Sequence, residues 1–204
     1  MPLKALALNA TLKSSDAKEP SSTDRMIGLI DKALWAYDVK TEVLRLADFN
    51  VKPGVTSDEG EGDDWPDIRA KVLAADILIM ATPIWLGQPS SVAKRVMERM
   101  DAFLDETDAK GRMPAAGKVA LVAVVGNEDG AHHCHAATFQ ALNDVGFTVP
   151  ANAGVYWVGQ AMGDVNYVDL PGTPPAGVEM IRMAAANAAH LAQLLSKERY
   201  PGVG

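Results

Sequence analysis

Apolar residues recur along the chain in two rhythms that take turns. Short runs that are continuous, or that alternate with polar residues, fall at positions 3–8, 40–46, 76–81, 118–125 and within 148–158. They read as strands, and the continuous runs at 76–81 and 118–125 fit central parallel strands buried on both faces. Between them the apolar positions follow the helical period. Met26, Ile27, Ile30, Ala33, Leu34 and Tyr37 form one stripe on a helix that opens near Ser22 and Thr23. Pro66 suits the first turn of a short helix ending near Leu73. A longer helix runs from Ser90-Ser91 to about Glu106, with Val92, Val96, Met100 and Phe103 on one side. Further helices are expected over 131–145 and 178–197. Strand and helix alternate throughout, which predicts an α/β domain built on a parallel sheet. With no internal repeat and no dividing linker, residues 1–204 are expected to form one such domain.

Length and charge narrow the picture further. Five strand–helix units need only about 150 residues, so a chain of 204 has surplus in its loops. Three stretches carry it: 12–20, 47–65 and the Gly/Pro-rich connection 159–177. The acidic cluster at 58–64 lacks calcium-loop spacing, because the twelfth position from Asp58 is Arg69. It is expected to be a solvated loop. Nineteen Lys and Arg against 26 Asp and Glu leave a formal charge of −7, which argues against a nucleic-acid partner. The single cysteine, Cys134, excludes an intrachain disulfide and an all-cysteine metal site. No apolar run approaches a bilayer-spanning length, and the apolar start 2–8 is too short for an export signal. No membrane association and a cytoplasmic location are therefore expected.

Open α/β sheets bind ligands at the carboxyl ends of their strands, and the unusual residues lie in three such loops. After the first strand come Asn9, Ala10, Thr11, Leu12 and Lys13, then Ser21, Ser22 and Thr23 where the helix opens. Hydroxyls, a lysine and a helix N-terminus suit a phosphate; alternatively Ser22 or Thr23 only caps the helix. Gly-x-Gly-x-x-Gly is missing, which excludes the ordinary dinucleotide fingerprint. Gly111 to Lys118 fails as a P-loop, because the spacing is one residue too long and it precedes a strand. After the third strand, Thr82-Pro83-Ile84-Trp85-Leu86-Gly87 reads as a strand stopped by Pro83 and a tight turn. Trp85 there either offers a flat surface to a planar ligand or packs beneath the loop. After the fourth strand, Gly126, Asn127, Glu128, Asp129 and Gly130 leave the backbone free to approach a ligand. His132, His133 and His135 follow, but only His132 and His135 share a helical face, so no metal site is expected.

Thr82-Pro83-Ile84-Trp85-Leu86-Gly87, followed by Ser90-Ser91-Val92-Ala93-Lys94 and then Met100-Asp101, resembles the flavodoxin-like NAD(P)H-dependent FMN reductase family. The resemblance covers most of residues 1–158. It departs at Asn9-Ala10, where the family has Gly-Ser, and at the insertion between Lys13 and Ser21. It implies a five-stranded parallel sheet in the order 2-1-3-4-5 with helices on both faces. It also implies FMN as cofactor and NADPH or NADH as reductant, with a quinone, free flavin or similar small molecule as acceptor. Thr11, Lys13, Ser21, Ser22 and Thr23 would surround the phosphate. Thr82, Pro83, Ile84, Trp85, Leu86 and Gly87 would line the flavin ring, and Gly126, Asn127, Glu128, Asp129 and Gly130 would border its pyrimidine end. No catalytic acid is implied. A homodimer or homotetramer is implied, and a flavodoxin-type electron carrier is the alternative.

Overall fold

A computed structural model describes residues 2–161 and 163–204. The strands are β1 (Leu3–Asn9), β2 (Val39–Arg45), β3 (Ile77–Trp85), β4 (Gln88–Pro89), β5 (Val119–Gly126) and β6 (Gly154–Val158). The helices are α1 (Ser22–Leu34), α2 (Trp65–Ala74), α3 (Ser91–Arg99), α4 (Ala131–Asp144) and α5 (Pro175–Lys197). The sheet runs β2-β1-β3-β5-β6, all parallel, with β4 a two-residue antiparallel return on β3. Without that return it is the expected flavodoxin-like order 2-1-3-4-5.

Side chains alternate across the sheet and so build two cores. On β1, Leu6 and Leu8 face α2, α3 and α4 and join Trp65, Ile68, Val96 and Phe103. Ala5 and Ala7 face the opposite side, where α1 and α5 pack. There the small residues of β1 meet Ala184, Ala185, Ala188 and Ala192 of α5, all buried, so the helix lies close to the strands.

Four expectations need correction. Pro83 does not stop β3, which continues to Trp85 with Pro83 opposite Val125 of β5. The Ala81 carbonyl accepts from Ala10 N–H at 2.8 Å, so odd-numbered residues of β3 turn their main-chain groups toward β1. Pairing with β1 ends at Ala81, so the N–H that Pro83 lacks would have faced an open edge. α3 ends at Arg99 rather than near Glu106; a 3-10 turn, Met100–Leu104, carries the stripe onward and still buries Met100 and Phe103. α5 begins three residues early because Pro175 fits its first turn.

The acidic stretch 58–64 is not simply solvated. The Asp63 side chain is buried against Arg99 of α3, with Nη2 2.8 Å from Oδ2. Arg99 also donates from Nε to the Thr56 carbonyl and from Nη1 to the Lys52 carbonyl, both at 3.0 Å. Burial pushes the Asp63 carboxyl up. The guanidinium beside it and N–H donors from Glu59, Lys52 and Trp65 outweigh that and hold it well below the usual carboxylate range.

Candidate functional site

The strand order reverses between β1 and β3, and a cleft opens at the carboxyl edge there. One end is built by the loop after β1. Asn9 is buried; its Oδ1 accepts from Thr11 N–H at 3.0 Å, and its Nδ2 donates to Asp24, which also pairs with Arg45. The inserted stretch is anchored on β2's side: Ser15 gives its N–H and hydroxyl to Asp48 at 2.7 and 2.6 Å. The Ser15 hydroxyl, with its N–H, holds the Asp48 carboxyl below its ordinary value. The chain returns at Ser21, whose Oγ accepts from Asp24 N–H at 3.3 Å and so caps α1. Among the described residues the N–H groups of Ser22 and Thr23 find no protein acceptor. They open the helix at the cleft wall, where the dipole favours an anion. Lys13 lines the same wall, its amine donating to the Pro20 carbonyl at 3.0 Å and 3.2 Å from Glu19.

The second side is the β3–β4 hairpin. Leu86 (φ 52°) and Gly87 (φ 71°) form its two-residue turn, the left-handed pair that matches strand twist. A leucine there costs about 1–2 kcal/mol, and the surroundings hold it. Ser90 N–H donates to Thr82 Oγ1 at 2.9 Å, and Ser90 Oγ donates to the Ala10 carbonyl at 2.7 Å. Leu86 N–H donates to Glu128 at 3.1 Å. Gly130 lies so close that a Cβ on it would sit 2.7 Å from Gly87 Cα. Trp85 is 53% exposed and lines the cleft, so it is not packed beneath the loop.

The third side is the turn from β5 to α4, with Val125, Gly126, Asn127 and Glu128. A Cβ on Gly126 would come within 2.9 Å of Ile84 Cβ, so the glycine lets the two loops touch. Beyond it, Trp157 of β6 packs against Tyr167 with the rings tilted, their centres 5.3 Å apart.

The structure thus brings Thr11, Lys13, Ser21, Ser22, Thr23, Pro83, Ile84, Trp85, Gly126, Asn127 and Glu128 to one cleft. Five expected residues do not line it. Thr82 is fully buried and its hydroxyl is spent on Ser90 N–H and the Pro83 carbonyl. Leu86 points into solvent, 92% exposed. Gly87, Asp129 and Gly130 shape the turns; Asp129 accepts the Gly130 N–H at 2.7 Å. Leu12, Pro20, Val125, Trp157, Asn166, Tyr167 and Val168 line the cleft without having been expected there. For Trp157 a signal existed, an aromatic at the carboxyl end of the next strand. For 166–168 the indication was the surplus length of the 159–177 connection, which pointed to no particular residue.

The groups behind the hairpin are quiet. Cys134 is buried, its Sγ 3.7 Å from the Gly87 carbonyl, and burial pushes its thiol up to about 11. His135 is buried beside Phe139 and Tyr156, with Nε2 3.2 Å from the Val155 carbonyl; burial pushes its pKa down. His133 reaches Gln88 at 3.0 Å, and His132 meets Tyr156 edge-on. Among the described residues no three His, Cys, Asp or Glu side chains converge as a metal site.

Comparison with known proteins adds to this geometry. A family model described as NADPH-dependent FMN reductase matches residues 3–163. The 8-demethyl-8-aminoriboflavin-5'-phosphate synthase of Streptomyces davaonensis is 35% identical, over 98% of this chain and 81% of its own length. A solved structure of RosB with the bound intermediate 8-demethyl-8-formylriboflavin-5'-phosphate superposes with a TM-score of 0.88 at 33% identity, covering 98% of this chain and 82% of that one. A Mycobacterium bovis protein named divalent metal cation transporter MntH is 37% identical over 84% of this chain, which spans 25% of that protein. Among the described residues no helix is long and apolar enough to cross a membrane.

Proposed function

The chain belongs to the NADPH-dependent FMN reductase family, and from that premise we propose that it is an oxidoreductase holding FMN in the cleft. It takes reducing equivalents from NADPH or NADH and delivers them to a small-molecule acceptor such as a quinone or a free flavin. One observation carries this: the cleft has two chemically distinct ends. At one, the unpartnered Ser22 and Thr23 N–H groups, with Thr11, Lys13 and Ser21, form an anion cradle. At the other, Trp85, Trp157 and Ile84 line the cleft with apolar surface beside Gly126, Asn127 and Glu128. That donor set fits a phosphate joined to a planar heteroaromatic ring.

Bound there, FMN would supply the two-electron chemistry. The protein's own residues bind and orient. The α1 N-terminus and the hydroxyls hold the phosphate, and the pinned hairpin fixes Trp85 relative to the Gly126 turn. Glu128 holds the Leu86 amide and so keeps the strained turn in place. No side chain is required as a proton donor. Assembly as a homodimer or homotetramer belongs to the same proposal and is read by light scattering.

A second reading is favoured by the synthase relative that matches almost the whole chain: the cleft would take a riboflavin 5'-phosphate as the molecule transformed. The test is a visible spectrum and an FMN titration, followed by anaerobic addition of NADPH or NADH. Prompt bleaching of the bound flavin supports the reductase. A spectrum that stays oxidised supports an electron carrier, and recovery of a chemically altered flavin by mass spectrometry supports the synthase-type reading. A protein that binds no FMN refutes the proposal.

A further inference from the structure

The family match ends at residue 163, but the cleft does not. Asn166, Tyr167 and Val168 supply part of its wall, and this segment is fastened to α1. Arg25 donates from Nη1 to the carbonyls of Tyr167, Val168 and Leu170 at 2.6, 3.1 and 2.8 Å, and its guanidinium lies 4.9 Å from the Tyr167 ring centre. Ser22 Oγ accepts from Val168 N–H at 3.1 Å. Tyr167 is buried on Trp157. A short 3-10 turn, Tyr167–Asp169, is closed by a reciprocal Asn166–Asp169 capping box. Upstream, Asn127 Nδ2 donates to the Gly163 carbonyl at 3.0 Å.

The arrangement is polarised. The carbonyls of the segment turn to Arg25, and its Val168 N–H is bound to Ser22, the first residue of the helix whose free N–H groups face the cleft. The segment therefore runs from the aromatic end, where Tyr167 packs on Trp157, to the anion cradle, where Val168 meets Ser22. Resting on the reading that the cleft takes a flavin phosphate, we infer that residues 166–170 form a fixed stop across the phosphate end, positioned by Arg25. This stop selects a ligand ending in a phosphomonoester over one that continues through a diphosphate into a second nucleotide. A terminal phosphate is accommodated in front of the segment. A diphosphate has to displace it, which breaks the charge-assisted bonds that Arg25 Nη1 shares among these carbonyls and the Ser22–Val168 bond.

The experiment compares FMN, FAD and riboflavin binding to flavin-free protein by fluorescence, for wild type, Arg25→Ala and Asp169→Ala. Hydrogen exchange over 163–170 is followed in parallel. Wild type is expected to bind FMN at least tenfold tighter than FAD. Arg25→Ala is expected to raise exchange at Val168, Asp169 and Leu170 and to shrink the FMN-to-FAD ratio at least threefold. If Arg25→Ala does not fold, Asp169→Ala, which loosens the same turn from the solvent side, decides by the same two readouts. A wild-type ratio below tenfold overturns the stop, as does a loosened segment with a smaller change in ratio. Riboflavin checks that the phosphate contributes. Absence of binding by any flavin overturns the reading of the cleft itself, and the stop with it.

Discussion

Replacing Arg99 by methionine tests whether the buried ion pair organises the loop 51–64. Both side chains of the Arg99–Asp63 pair are 0% exposed. The variant leaves Asp63 buried without its counter-charge and strips the Lys52 and Thr56 carbonyls of their donors. Breaking a buried pair from one side costs about 3–5 kcal/mol. The three N–H groups that still face Asp63, from Glu59, Lys52 and Trp65 at 2.9, 3.2 and 3.2 Å, soften that loss. We expect about 3 kcal/mol, which at a urea m-value of about 2 kcal/mol/M lowers the midpoint by roughly 1.5 M. The assay is equilibrium urea unfolding of flavin-free protein, because bound ligand adds its own stability. Arg99→Met/Asp63→Asn removes both charges and is expected to recover part of the loss. The pair also has a pH signature. The Asp63 pKa is depressed in the folded protein, so its stabilisation is full above the unfolded value of about 4 and is lost as pH falls toward the folded value. Wild type should therefore lose its advantage over Asp63→Asn on acidification below about pH 4. An Arg99→Met variant within about 1 kcal/mol of wild type, or an advantage that grows on acidification, would refute the reasoning.

Gly130→Ala puts a Cβ 2.7 Å from Gly87 Cα at a φ of 122°, so strain and overpacking together should cost about 2–5 kcal/mol and loosen FMN binding; unchanged melting temperature and affinity would contradict this. Cys134, buried with its thiol pushed up to about 11, should react with a thiol reagent at pH 8 only in urea. Stoichiometric labelling of native protein would show that the hairpin opens. Thr23→Val with Lys13→Ala should weaken FMN binding by about 3–6 kcal/mol, the scale of two charge-assisted bonds, in a fluorescence titration. Unchanged affinity would place the phosphate elsewhere.

The strands and helices were legible because each shows its own hydrophobic period over enough residues, as in 76–81 and 118–125. The exceptions have local causes. The reach of β3 past Pro83 depends on β1 ending opposite Ala81, which no local pattern records. The burial of Asp63 depends on Arg99, 36 residues away in a chain whose acidic cluster otherwise reads as solvated.

The candidate site divides in the same way. Eleven of the sixteen residues expected from the three loops line the cleft, because loops at strand carboxyl ends follow once the strands are placed. What those loops do individually was not legible. Thr82 and Gly130 carry residue types that suit a ligand, yet they serve the hairpin. Their partners, Ser90 and Gly87, are set by how the hairpin seats on the turn after β5.

By itself the sequence determined the α/β class and the edge of the sheet where its unusual loops gather, and it marked the hydroxyl-rich α1 entrance as either a phosphate site or a helix cap, since these follow from local periods, caps and hydroxyls. Only the tertiary structure decided that 166–170 reaches the cleft, because Arg25 meets carbonyls more than 140 residues downstream. A contact of that kind is made by docking of α1 against the segment before α5. Charge and hydrogen-bonding capacity can be read along the chain, but the partner that uses them is chosen in three dimensions.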